Sequence, residues 1–286
     1  MAPTPSPNPP PHALSVDVED WYQLRCGGET PISDRFEQSV EKVLAALSDR
    51  AVRATFFVLG RVAEDAPRVV RRIADAGHEI QSHGYAHRLN HDLSEDEFRE
   101  DVTRAKQRIE DVAGREVYAY RAPLFTIDER NLWTLDVLAE TGHRYDSSIF
   151  PLQTSRYGID GYPPEPRIVE TRRGRRLVEA PVACVDWLGR RWPVGGGGYV
   201  RLWPYAFLRR AWRRLERIGR PGIVYFHPYE YDAGEMQAYS REFPLRLRLQ
   251  QGLGRRSVPR KLDRLLAEFR FGPMGEVLAP LLENVP

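Results

Sequence analysis

Apolar runs of strand character alternate with capped helical patterns along this chain, and that order constrains the fold more than any other feature. Strand-like runs at 13–18, 54–59, 78–82, 117–121 and 222–227 are separated by helical patterns at about 34–50, 65–77, 94–112, 129–141 and 206–218, with another helix near 258–269. Right-handed crossovers of this kind wind or close a parallel sheet, so we expect an α/β fold. The punctuation agrees. Asp34-Arg35-Phe36-Glu37 looks like a capping box, Ser94-Glu95-Asp96-Glu97 is one, Pro67 sits in a first turn, and Gly77 and Gly142 stop helices.

The alternation weakens between 150 and 205, where Pro, Gly and Arg dominate. An insertion or elaborated hairpin region, including 177–182, is expected there within a single domain over 13–286. Residues 1–12 are rich in Pro, Ser and Asn and lack the basic start and apolar centre of a secretory signal; we read them as a disordered tail and a cytoplasmic start. No apolar run approaches the roughly 20 residues of a membrane span, which predicts a soluble protein. Cys26 and Cys184 are far apart and in no Cys-x-x-Cys context, so both read as reduced thiols rather than ligands. A net charge of +2 gives no whole-molecule signal for nucleic acid. Arginines nonetheless bunch at 172–176 and along 208–217, where Leu208, Ala211, Trp212, Leu215 and Ile218 recur at helical spacing. A solvated amphipathic helix is the first reading of that stretch, and contact with an anionic membrane surface the second.

Chemistry gathers where the strands end. Residues 13–18 run into Asp17, Glu19 and Asp20, residues 78–82 into His83 and His87, residues 117–121 into Arg121, and residues 222–226 into His227. In a parallel barrel those ends share one rim. Asp17 and Glu19, two apart on a strand, point to one face. Two imidazoles four apart on a helical turn would also face together, at metal-ligand spacing. With one carboxylate they form an N/N/O set, leaving the second carboxylate as a base. His83 and His87 could instead pack on Tyr85, and His91 repeats the four-residue spacing as a rival ligand. Arg121 could be a plain strand end before Pro123, or a guanidinium that pins the base through paired hydrogen bonds. His227 could be a core histidine, although its position favours a general acid. Gly195–Gly198 lacks the Lys-Ser/Thr ending of a phosphate loop; it reads as a flexible loop, or as bare backbone approaching a sugar beside Trp192 and Tyr199.

The motif order, Asp17-Val18-Glu19, then Ser82 to His87, Arg121-Ala122-Pro123 and Tyr225-Phe226-His227, resembles the NodB-homology polysaccharide deacetylases of carbohydrate esterase family 4. Strings at 15–21, 145–151, 193–201 and 227–232 are similar to the exopolysaccharide deacetylases found with exosortase-type export systems. The resemblance implies a deformed (β/α) barrel of about seven strands and removal of N-acetyl groups from amino sugars of a polysaccharide or its lipid-linked precursor. It further implies a divalent metal, zinc first and cobalt, manganese or nickel also, held by Glu19, His83 and His87. Asp17 would be the base, oriented by Arg121, and His227 the acid. Most of the family carries adjacent aspartates where this chain has Asp17-Val18, so Asp20 stands as the fallback ligand. Metal-free hydrolysis of a cyclic amide or ureide, and an inactive sugar-binding module, are the competing readings.

Overall fold

The structure, a computed structural model, describes residues 9–26 and 31–286. Most of the expected tail, residues 1–8, lies outside the described residues; its last residue does not behave as tail. His12 opens strand β1 (His12–Val18) and is buried, its Nδ1 accepting the Gly222 N–H at 2.9 Å. Helix α1 (Trp21–Cys26) follows, then α2 (Asp34–Ser48), β2 (Thr55–Val58), α3 (Gly60–Asp65), α4 (Pro67–Asp75), β3 (Glu79–Ser82), α5 (Glu95–Ala113), β4 (Ala119–Tyr120), α6 (Trp133–Glu140) and β5 (Tyr145–Asp146). Hairpin β6 (Arg167–Glu170) and β7 (Arg176–Glu179) precedes hairpin β8 (Cys184–Trp187) and β9 (Arg190–Pro193). The chain finishes with α7 (Gly197–Leu202), α8 (Tyr205–Arg217), β10 (Ile223–Phe226), α9 (Glu235–Ala238), α10 (Leu245–Gly252), α11 (Val258–Glu268), β11 (Phe271–Gly272), α12 (Met274–Val277) and α13 (Ala279–Leu282).

Seven strands pair in parallel in the order β10-β1-β2-β3-β4-β5-β7, which is the deformed seven-stranded barrel expected. β6 adds antiparallel outside β7, and β11 pairs with β1. Beyond its parallel pairing β10 is bonded by the residues flanking hairpin β8–β9: Ala183 N–H donates to Ile223 O at 2.9 Å and Tyr225 N–H to Gly195 O at 2.7 Å. Strand periodicity sorts β1 into two faces. Leu14, Val16 and Val18 pack outward under the helices, with Val43, Ile73, Trp212 and Leu265. On the opposite face Ala13 joins Phe57, Tyr145 and Val178 in an inner core that Met274, Leu278 and Leu282 of the last two helices plug. Ser15 and Asp17 share that inward parity, which sets polar side chains above an apolar plug.

Local boundaries move where side chains redirect the backbone. The cap of α2 is Ser33, whose hydroxyl accepts the Phe36 N–H, rather than the Asp34 box. The Ser94–Glu97 capping box forms as expected. Asn131 holds residues 126–131 in a turn, accepting from the Asp128 N–H and donating to Thr126 O, both at 2.8 Å, so the helix begins at Trp133 instead of near 129. Within the 150–205 region the expected hairpins are β6–β7 and β8–β9, and β7 also joins the parallel sheet beside β5. Cys184 is buried and free, while the side chain of Cys26 lies outside the described residues. Among the described residues no helix is long and apolar enough to cross a membrane.

Candidate active site

Arg121 is a fully buried polar group in the centre, and its partners come from β1, β2 and the residue just beyond β5. Nη1 donates to Asp17 Oδ1 at 2.7 Å and to Ser15 Oγ at 2.8 Å, while Nη2 donates to Ser147 Oγ at 3.0 Å and Nε to Ser147 O at 3.3 Å. The guanidinium lies 4.2 Å from the Phe57 ring centroid, within cation–π range. It therefore grips Asp17 by one nitrogen, not by the paired bonds expected, and spends its other donors on the two serines. Both charges are buried, Arg121 completely. Such a pair persists only because nearly every donor is satisfied. Ser15 was detectable in principle, two residues before Asp17 on the same strand face; Ser147 lies in the 145–151 string, but nothing local in that string pointed to Arg121.

Glu19, His83 and His87 come together with their ligand atoms all within 4.8 Å of one another. His87 Nε2 is 2.9 Å and His83 Nε2 3.5 Å from Glu19 Oε2, and His227 Nε2 is 3.4 Å from Oε1. Despite this crowding Glu19 Oε2 is buried without a hydrogen bond, an orphaned lone pair aimed at two imidazoles. That is the arrangement of ligands facing a shared cation. His83 Nδ1 lies 2.8 Å from Arg121 O; donating there leaves Nε2 unprotonated and turned to Glu19, the usual outer support of a ligating imidazole. The donor set fits a divalent metal. Burial pushes the Glu19 carboxyl up, but His87 and His227 and the close contacts of His83 and His87 outweigh it and hold it well below the usual carboxylate range.

The two histidines converge without a helix. Residues 83–89 form a loop in which Gly84 has φ 79° and His87 φ 57°, and the rings sit 5.5 Å apart at 71°. The start of α3 fixes this loop, since Gly60 N–H donates to Gly84 O at 2.9 Å and Arg61 N–H to Tyr85 O at 2.8 Å. Asp101 accepts the Tyr85 N–H at 2.9 Å from the other side. Asp20, the fallback ligand, is spent elsewhere: it accepts the Tyr22 N–H at 3.0 Å and the Ser33 N–H at 2.7 Å, capping α1 and tying it to α2.

His227 stacks on Tyr229 with ring centroids 4.6 Å apart, and its Nδ1 is 3.4 Å from Glu230 Oε2, which also accepts the His227 N–H at 3.1 Å. Burial works against its protonated form, yet the carboxylates of Glu19 and Glu230 prevail and raise its pKa. Tyr229, which sequence reasoning passed over, reaches Glu19 Oε1 with its hydroxyl at 3.4 Å. The four glycines serve this support. A Cβ on Gly195 would collide with Ile223 O, and one on Gly197 with the Glu230 carboxylate. The loop packs against Ile223, Tyr225 and Glu230 and does not line the cavity. Tyr199 stacks on Phe150 and Trp192 meets Trp203 instead.

Above these groups opens a cavity of about 660 Å³, lined by Asp17, Glu19, His83, His87 and His227 at its floor and by Trp21, Leu124, Phe125, Tyr157, Arg25 and Arg156 among others higher up. His91 lines it too, but lies outside the Glu19 cluster.

Residues 28–145 match the family model described as polysaccharide deacetylase, and residues 147–279 match a domain of unknown function, DUF3473. A peptidoglycan-N-acetylglucosamine deacetylase of Bacillus cereus is 37% identical over 91 residues, 32% of this chain and 33% of the relative. The chain spans about a third of the length of the first curated relatives it matches. The fold is that of a candidate polysaccharide deacetylase from Mycobacterium smegmatis, with TM-score 0.66, 23% identity and coverage of 100% and 96% of the two chains. It is also that of PuuE allantoinase, with TM-score 0.60, 14% identity and coverage of 96% and 93%. Over residues 28–145 the chain is thus similar to the polysaccharide deacetylase family.

Proposed function

We propose that the protein is a metal-dependent hydrolase that removes N-acetyl groups from amino sugars of an exopolysaccharide or its lipid-linked precursor. The convergence of Glu19, His83 and His87 beside an arginine-held Asp17, at the floor of an open cavity, is the observation that carries this reading. When bound by those three side chains, a divalent metal, zinc foremost, supplies Lewis-acid polarisation of a carbonyl and a water pKa lowered toward about 7.

The chain's own residues divide the remaining work. Asp17 keeps one oxygen on Arg121 and Oδ2 free of that bond, so Oδ2 accepts a proton from water as the new C–O bond forms on the acetyl carbon. Arg121 holds the carboxylate in place. His227, with Nδ1 turned to Glu230 and Nε2 to the site, delivers a proton to the leaving nitrogen as the C–N bond breaks. The products are acetate and a free amine. Acetate release from N-acetylglucosamine oligomers, abolished by chelation and restored by a divalent metal, is the expected result. Hydrolysis of a cyclic ureide that survives chelation would instead favour the metal-free reading, and neither reaction the sugar-binding module.

A further inference from the structure

Helix α10 differs from every other long helix in the molecule because none of its residues is buried. Leu245, Leu249 and Leu253 follow one another at four-residue spacing and are 60%, 63% and 63% exposed. At that spacing they form one row along one face. The segment 241–256 also carries five arginines and one carboxylate, Glu242. Arg255 is buried against Glu235 and Arg248 donates to Ser240 O at 2.8 Å, but Arg241, Arg246 and Arg256 are exposed and form no ion pair among the described residues. Gln251, on the same helix, lines the catalytic cavity, as do the exposed Arg25, Arg156 and Leu124. Gln251 is two residues from Leu249 and from Leu253, so the leucine row lies on the opposite face of the helix, turned away from the cavity.

From this juxtaposition of exposed leucines and free guanidiniums we infer that the open face of α10 docks the protein on an anionic lipid bilayer. Leucines insert at the acyl boundary while the free guanidiniums meet phosphate, the pairing that interfacial helices use. Helix α8, the arginine-rich stretch, lacks that pairing. Its Leu208, Trp212 and Leu215 are buried, Arg209 bonds Glu268 at 2.7 Å, Arg213 bonds Glu216 at 2.9 Å, and Arg210 lies over Trp187. Docking itself does not depend on hydrolysis; that the bilayer delivers a lipid-borne amino sugar rests on the function proposed above.

Flotation of the full chain with vesicles of phosphatidylcholine, with and without phosphatidylglycerol, tests the surface. Wild type should float with the anionic vesicles at low salt. The Leu245→Ser/Leu249→Ser/Leu253→Ser variant and the Arg246→Glu/Arg256→Glu variant should each bind at least about tenfold more weakly. Both should keep the wild-type melting temperature and acetate release from soluble oligomers. Wild type left at the bottom of the gradient, or variants that float equally well, would overturn the inference. So would a wild-type dimer in solution that the leucine variant turns into monomer, because the row would then belong to a second copy. Flotation without acetate release from any substrate would retain the docking surface and remove the proposed reaction.

Discussion

Two buried glutamates sit at strand ends on the same rim, on either side of Arg121, and they carry opposite chemistry. Glu19, just beyond β1, faces three imidazoles and is held well below the usual carboxylate range. Glu179, the last residue of β7, is paired across the sheet with Asp146. Burial is the main force on both members of that pair. It drives Glu179 well above its usual value, with Asp146 adding to the push, and drives Asp146 up to about 6. Ser148 Oγ donates to Asp146 Oδ1 at 2.5 Å and Ile149 N–H to Glu179 Oε1 at 3.1 Å, while Glu179 Oε2 is buried without a hydrogen bond. Position on the rim thus does not decide whether a carboxylate is charged. Neighbouring imidazoles make one a ligand candidate, while burial and a neighbouring acid push the other up beside the Ser147 that grips Arg121.

The comparison can be broken at its charged end first. Asp17→Asn should lower acetate release by about 10² to 10⁴ while metal content is unchanged, because only the proton acceptor is lost. Steady-state rates together with elemental analysis check both halves. Arg121→Met strips the cation from Asp17 and should cost about 3–5 kcal/mol of stability, read by denaturant unfolding. A smaller loss would mean that solvent reaches Asp17. Gly197→Ala forces Glu230 away from His227 and should lower activity by about 10- to 100-fold with little change in metal content.

The neutral end gives the smallest effect. A raised folded-state pKa means that the pair favours the native state most below the unfolded carboxylate range, near pH 4, and that this contribution is lost as pH rises through about 6 and beyond. Glu179→Gln keeps the acceptor for Ile149 and removes the titration. Its melting temperature relative to wild type should therefore rise between pH 5 and pH 8; a difference that is flat with pH would show that the pair does not titrate over that range.

What could be read from sequence divides along the same line. Strand ends bearing Asp17, Glu19, His83, Arg121 and His227 were legible because period-2 and period-3.6 patterns place them without knowledge of partners. Groups whose meaning depends on a distant contact were not. Asp20 looks like a third rim carboxylate until Ser33 is seen donating to it. The histidine spacing suggested a helix, yet backbone bonds from Gly60 and Arg61 hold a loop with His87 in the left-handed region. Gly195 and Gly197 are small because Ile223 and Glu230 lie against them, and Asp146 and Glu179 meet only across two strands. The exposed leucine row of α10 shows a helical period in sequence, but only the fold reveals that nothing covers it.

Metal content of the purified protein, measured beside His83→Ala with acetate release followed in the same samples, tests the central claim most directly. About one divalent metal per chain in wild type, lost from the variant together with acetate release, is the predicted result. Wild-type protein that hydrolyses an acetamide without metal, or a His83→Ala variant that keeps both metal and activity, would contradict it.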